Sequence, residues 1–327
     1  MRRAASIPDL SLLVRSRTAL LAGGWTERSI RLAVGSGRLR VIRRGAFMDA
    51  QDAATLWPEA WHLAHVIAVA REATGDGVIS HESAGVAWSL PLYRHRPLRV
   101  HVTTPAPSRI SSGADVMRHV APLPASDIVV RHGIRCTSLE RTVFDMVRTL
   151  GPDASVAAAD AAERQFALRG RVWDEDAVAC WRRSMRERVT AASGARGIRQ
   201  ARWVTAFADG RAQLPGESVS RLQLMRLGFD APQLQVPVAG PAENTYFVDF
   251  GLTDVRAFGE FDGKDKYLDV AMRRGVALEK ILLEEKRRED WIRGTTQWRF
   301  ARWEDEHSVT PQALAARLAS FGIRAPG

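Results

Sequence analysis

Two short stretches that alternate between facing positions constrain this chain most, because they carry its acids. From Thr245 to Leu252, Phe247, Asp249 and Gly251 point one way and Val248, Phe250 and Leu252 the other. From Val255 to Asp262, Phe258, Glu260 and Asp262 share one face, opposite Ala257, Gly259 and Phe261. Alternation of this kind predicts strands. So short a connection, centred on Asp254-Val255, predicts an antiparallel hairpin. That turn sets Asp249 opposite Glu260, with Cβ atoms about 5 Å apart. Asp262 joins them, while Phe250 and Phe261 are expected in the core. Three carboxylates on one face repel one another unless a cation bridges them. The spacing therefore admits two readings. Asp249, Glu260 and Asp262 hold a hard divalent ion, Mg2+ or Mn2+, or they are solvated acids on an exposed strand.

The run Val248-Asp-Phe250, Gly259-Glu-Phe-Asp-Gly263 and Glu285-Lys-Arg-Arg-Glu289 resembles the core of the PD-(D/E)XK nuclease superfamily, and within it the very-short-patch-repair-like branch. The likeness spans residues 211–327. It implies a restriction-endonuclease-like α/β domain, metal-dependent hydrolysis of DNA phosphodiester bonds, and an upstream helix acid at Glu217. The third motif position, usually Lys in that superfamily, is Asp262 here. Lys264 or Lys266 is then the cation expected to stabilise the transition state, with Lys280 or Lys286 as substitutes from the next helix. If none reaches, the domain binds DNA without cutting it. Lys280, Lys286, Arg287, Arg288 and Arg293 are read on the outer side of that helix, and those from 286 to 293, Lys286, Arg287 and Arg293 among them, are expected to position the DNA backbone.

Residues 1–52 carry ten Arg against four acids. Leu10 to Val14 and Thr18 to Ala22 suggest two helices, the second stopped by Gly23-Gly24. Thr26 can cap a third. Leu39 to Met48 alternates around Arg43-Arg44-Gly45, as a short hairpin does. This order predicts a winged helix-turn-helix, with Arg28 and Arg31 on the recognition helix. Arg43 and Arg44 then sit in the wing on phosphates, and Arg38 and Arg40 lie in the same basic run. The residues Ser36-Gly-Arg-Leu-Arg-Val-Ile-Arg-Arg-Gly-Ala-Phe47 resemble the N-terminal domain of AbiEi-type antitoxins. That resemblance implies double-stranded DNA and a cognate toxin or defence protein as partners.

Between these ends the chain reads as an α/β and then helical scaffold over 53–210, similar to the body of the same antitoxin-like family. The expected fold class is thus α+β and multi-domain, divided at 1–52, 53–210 and 211–327. A chain of 327 residues at 46% hydrophobic content can bury more than one core. Its net charge of +10, mostly from Arg, favours an anionic partner such as nucleic acid. Thr137 and Glu140 suggest a capping box. Histidines recur at 62, 65, 81, 95, 101, 119 and 132, none at zinc-motif spacing, so core, cap or surface roles are expected for them. Cys136 and Cys180 form no CxxC pair and are expected as small core residues in a reduced, cytoplasmic setting. No apolar stretch reaches the roughly 20 residues that span a bilayer.

Overall fold

The computed structural model describes residues 6–73, 75–105, 112–170, 172–263 and 278–326. The chain is α+β, with four separate sheets among the described residues. It divides into two compact units, Met1–Ala158 with Asp176–Ala206, and Ala159–Glu175 with Phe207–Gly327. This differs from the three-part division expected from sequence. Residues 1–52 share a unit with most of the middle region, because Arg71 donates to Val14 O and Ser11 O. Arg43 adds ion pairs to Glu72 and Asp115.

The first unit opens with α1 (Ile7–Leu13), β1 (Arg15–Ser16), α2 (Arg17–Ala22), α3 (Glu27–Gly35), β2 (Leu39–Arg43) and β3 (Ala46–Asp49). Thr26 caps α3 in a reciprocal box with Ser29, as its position suggested. Leu20, Ile30, Ala33, Leu39 and Phe47 form the small core beneath. The strands pair in the order β1-β3-β2. After α4 (Ala50–Ala54) comes α5 (Pro58–Glu72), which buries residues on all sides, from Ala60 to Val69. Then follow β4 (Val78–Ile79), α6 (His81–Ala87), β5 (Val100–Thr104), β6 (Val116–Val120), β7 (Ile128–Arg131), β8 (Ile134–Thr137) and α7 (Leu139–Thr149). The sheet runs β6-β5-β4-β8-β7. The cap of α7 is Ser138, whose hydroxyl accepts from Arg141 N, one residue later than expected. Thr137 instead shares a buried 2.6 Å hydroxyl contact with Thr142. Cys136 is buried, but Cys180 is exposed, contrary to the core role expected of it.

Next come α8 (Pro152–Ala167), the hairpin β9 (Leu168–Arg169) and β10 (Val172–Trp173), α9 (Glu175–Ala191) and α10 (Ile198–Phe207). The rest of the second unit is α11 (Pro215–Arg226), β11 (Gln233–Ala239), β12 (Thr245–Leu252), β13 (Ala257–Asp262), α12 (Leu278–Thr296), β14 (Arg299–Glu304) and α13 (Pro311–Ala319). The strands lie in sequence order, antiparallel until β14, which runs parallel to β13. A parallel neighbour needs a long crossover, and α12 lies in it. Phe250, Phe261, Ala301 and Trp303 pack with Leu224 of α11 and Leu314 of α13. Phe258 and Phe300 pack with Ile292 of α12 on the opposite face. Burial of Phe250 and Trp303, at 0% and 1% exposure, stabilises the fold by about 2–3 kcal/mol each. No described helix is long and apolar enough to cross a membrane.

Candidate functional site

The β12–β13 hairpin has the register expected of it. Phe250 pairs with Gly259, Gly251 with Phe258 and Leu252 with Ala257, and one step further sets Asp249 opposite Glu260. Glycine is required at two of the motif positions by close packing. A Cβ on Gly259 would meet the Trp303 ring at 2.3 Å, and one on Gly216 the Phe261 ring at 2.0 Å.

What faces the acids was not expected, and Arg288, read from sequence as an outward residue of its helix, turns inward to them. β13 and β14 pair with Glu260 beside Arg302 and Asp262 beside Glu304. Arg302 Nη2 lies 2.9 Å from Glu260 Oε2, and Arg288 Nη2 reaches Glu260 Oε1 at 2.5 Å. Arg302 also pairs with Glu285 at 2.6 Å and Glu289 at 3.2 Å. Its Nη1 lies 3.9 Å from Asp262 Oδ2. Arg288 completes the mesh at Glu285, 2.7 Å away, and donates to Phe247 O. Glu260 is 4% exposed. Burial pushes its carboxyl up, against the opposing pull of Arg288 and Arg302. Burial works against Glu285 too, yet Arg288 and Arg302 hold its carboxyl below the usual range.

The remaining acids are engaged as well. Asp249 Oδ2 accepts from Phe261 N at 3.0 Å, and Oδ1 from Gln235 Nε2 at 3.2 Å. Glu217 is buried, and its Oε2 accepts from Gln213 N at 2.8 Å, just ahead of its own helix. The expected Mg2+ or Mn2+ does not fit this donor set. Both Glu260 oxygens already face guanidinium groups, and like charges would repel an added cation. Lys264 and Lys266 lie outside the described residues. Lys286 and Arg287 are exposed on α12, while Arg293 pairs with Glu289 and donates to Phe300 O.

Around α3 the predicted arginines divide. Arg28, Arg31, Arg38, Arg40 and Arg44 are exposed. Arg38 stands over the Trp25 ring and Arg40 over Trp61, at 5.8 and 4.1 Å. Arg43 is the exception to the wing reading. It forms ion pairs with Glu72 and Asp115, both at 2.9 Å, so two carboxylates of the fold already balance its charge.

Sequence spacing also missed a histidine group. His81, at the start of α6, His101 of β5 and His119 of β6 each offer a ring nitrogen, all within 4.8 Å of one another. β5 and β6 run parallel with Thr103 opposite His119 and His101 opposite Met117, so both histidines share a face. Ser80 N donates to His101 O, which brings His81 alongside. His101 Nε2 lies 3.3 Å from Glu82 Oε1. Against its burial, the Glu82 carboxyl is held down at about 2 by His95 and His101. Burial and the neighbouring His101 lower His119 to about 4, and burial lowers His81 and His101 as well. These separations follow sheet pairing, and no linear motif announces them.

No family model matches this chain. It is 32% identical over 121 residues to two proteins of Mycobacterium tuberculosis, "Uncharacterized protein MT2308" and "Uncharacterized protein Rv2248". Those matches cover 37% of this chain and 40% of each relative, so the likeness spans about two fifths of their length. Among solved structures it is similar to the RV2827C protein of Mycobacterium tuberculosis, at 14% identity and a TM-score of 0.34, over 74% of this chain and 91% of that one.

Proposed function

We propose that this chain is a DNA-binding regulator of the AbiEi-antitoxin-like kind, with a nuclease-like domain that does not hydrolyse DNA. The observation that carries the second clause is the double clamp of Arg288 and Arg302 on Glu260. A buried carboxylate neutralised by two guanidinium groups has little affinity left for Mg2+, and without the ion no water is activated for attack. The first clause rests on α1 to β3. Three helices and a β1-β3-β2 sheet follow the winged helix-turn-helix layout, with α3 as the recognition helix. Arg28 and Arg31 project from α3 into solvent, and Arg38, Arg40 and Arg44 extend the basic surface along the wing. Phosphate contacts of this type supply affinity, and base reading is a separate matter. A cognate toxin is the protein partner this reading entails.

The metal-dependent endonuclease is the rival, favoured by one observation: Asp249, Glu260 and Asp262 share a sheet face in the expected register. It requires both arginines to leave Glu260. Two measurements on the full chain decide. Duplex DNA binding by fluorescence anisotropy is expected to weaken with rising salt and to fall further in Arg28→Ala/Arg31→Ala. Binding that ignores salt and both substitutions removes the regulator. Incubation of varied duplexes with Mg2+ or Mn2+ is expected to leave them intact. Cleavage by the wild type that vanishes in Asp249→Ala restores the nuclease.

A further inference from the structure

We propose that His81, His101 and His119 bind a borderline divalent metal ion, Zn2+ foremost, leaving one coordination position for water. Three imidazoles drawn from a helix start and two adjacent strands are a donor set suited to Zn2+, Co2+, Ni2+ or Cu2+, and poorly suited to Mg2+. Three histidines plus an open position is a common arrangement for zinc that works on a substrate or water.

The surroundings decide which nitrogens face the ion. Glu82 Oε1 stands 3.3 Å from His101 Nε2, and a carboxylate only accepts. A proton on His101 Nε2 is the one this carboxylate favours, and it leaves the Nδ1 lone pair toward His119, whose Nε2 lies 3.1 Å away. A carboxylate behind a histidine in this way fixes the ring and raises its basicity as a ligand. Ser80 Oγ lies 3.0 Å from His81 Nδ1, which leaves His81 Nε2 for the cluster. Ser80 is itself held by Thr103 Oγ1, which donates at 2.8 Å. The backbone supports the same reading. His81 has φ of +52°, an uncommon region that His enters more readily than most side chains and one that accumulates at functional sites.

Two features of this geometry must give way when an ion binds. His119 Nε2 and His101 Nδ1 are 3.1 Å apart and share a hydrogen bond, so an ion at His101 Nδ1 replaces it, and the His119 proton moves to Nδ1. The His81 and His119 rings stack at 3.9 Å with planes 19° apart. Nearly parallel rings cannot both aim lone pairs at one point, so the stack must open. Bonds of about 2.0–2.1 Å in a tetrahedron place donors roughly 3.4 Å apart, and a donor set within 4.8 Å reaches that by side-chain rotation.

The full chain is stripped with a chelator and titrated with Zn2+ by calorimetry and with Co2+ by visible absorption. One ion per chain is expected, with a tetrahedral-type Co2+ band and at least tenfold weaker Zn2+ binding in His119→Asn. Glu82→Gln is expected to weaken binding by about ten- to a hundredfold, the effect typical for a partner behind a metal-bound histidine. A readout free of substitutions accompanies these. Zn2+ is expected to protect His101 and His119 from diethyl pyrocarbonate, mapped by mass spectrometry, while exposed His132 stays reactive. Absence of stoichiometric binding in the wild type, equal binding by folded His119→Asn, or unprotected His101 and His119 overturns the site.

Discussion

Arg288 Nη2 sits 2.5 Å from Glu260 Oε1, and this pair occupies the place where the strand pattern called for a divalent ion. The Glu260 side chain is 5% exposed and that of Arg288 16%, so the contact is screened little by water. Removing Arg288 leaves Arg302 as the partner of a buried charge. Arg288→Ala is expected to lower stability by about 3 kcal/mol, the low end for a broken buried pair, measured by urea denaturation. The same substitution vacates one side of Glu260. Mg2+ is expected to raise the Tm of Arg288→Ala and leave the wild type unchanged. Equal shifts in both proteins would show that the clamp does not exclude the ion.

Arg221 and Asp160 form a deeply buried ion pair of the second unit, at 2.9 Å and with side chains 7% and 0% exposed. Asp160 also accepts from Asp209 N, and Arg221 donates to Phe207 O. Asp160→Ala strands the guanidinium, with an expected loss of about 3–5 kcal/mol. A change below about 1 kcal/mol in chemical denaturation would mean that water reaches the pair.

Gly216 belongs to the stretch that resembles a nuclease motif, but its constraint is steric. The Phe261 ring lies where a Cβ would stand. Gly216→Ala is expected to destabilise by about 1–3 kcal/mol through overpacking. Pairing it with Phe261→Leu is expected to recover part of that loss, and a double variant no better than the sum of the two singles would refute the contact.

The buried His62 and the half-buried His119 of the first unit predict an acid-side loss of stability. His62 is lowered to about 3 by burial and by His65, and His119 to about 4 by burial and His101. Between pH 6.5 and those values the unfolded chain binds protons that the folded chain does not. Their contribution is complete above about pH 6.5 and is lost as pH falls toward 4 and then 3. A pH series of Tm values is expected to drop over that window, with a shallower drop in His119→Asn. Parallel curves for the two proteins would remove His119 from the account.

Arg43 and Arg44 are neighbours with opposite expected phenotypes. Arg43→Ala loses the bridges to Glu72 and Asp115 and is expected to lower Tm. Arg44→Ala keeps Tm and is expected to reduce the slope of log K against log salt by about one contact. Anisotropy at several salt concentrations together with thermal melts separates them.

Much of the second unit could be read from its residues. The alternation around Asp249 and Glu260 named β12 and β13 and their register, because pleat and turn length are local properties. Thr26 announced the start of α3 for the same reason, since a cap bonds within its own turn. The Thr137–Glu140 box was misplaced by one residue because several hydroxyls compete at that turn, and the packing of α7 on its sheet selected Ser138. The basic run from Arg38 to Arg44 was legible as charge, but Arg43's commitment to Glu72 and Asp115 came only with the placement of α5 and the β5–β6 region.

The sequence by itself determined the strands of the β12–β13 hairpin, the capped start of α3 and the face that carries the acids, because backbone geometry repeats on the scale of a few residues. The tertiary structure alone decided what neutralises those acids and which histidines meet. Glu260 faces Arg302 because β14 docks parallel to β13 in one register, and Arg288 because α12 turns that side toward the sheet. His81, His101 and His119 converge because β4, β5 and β6 are neighbours. Electrostatic partners are chosen by distance in space, and the fold brings together groups that the chain keeps far apart.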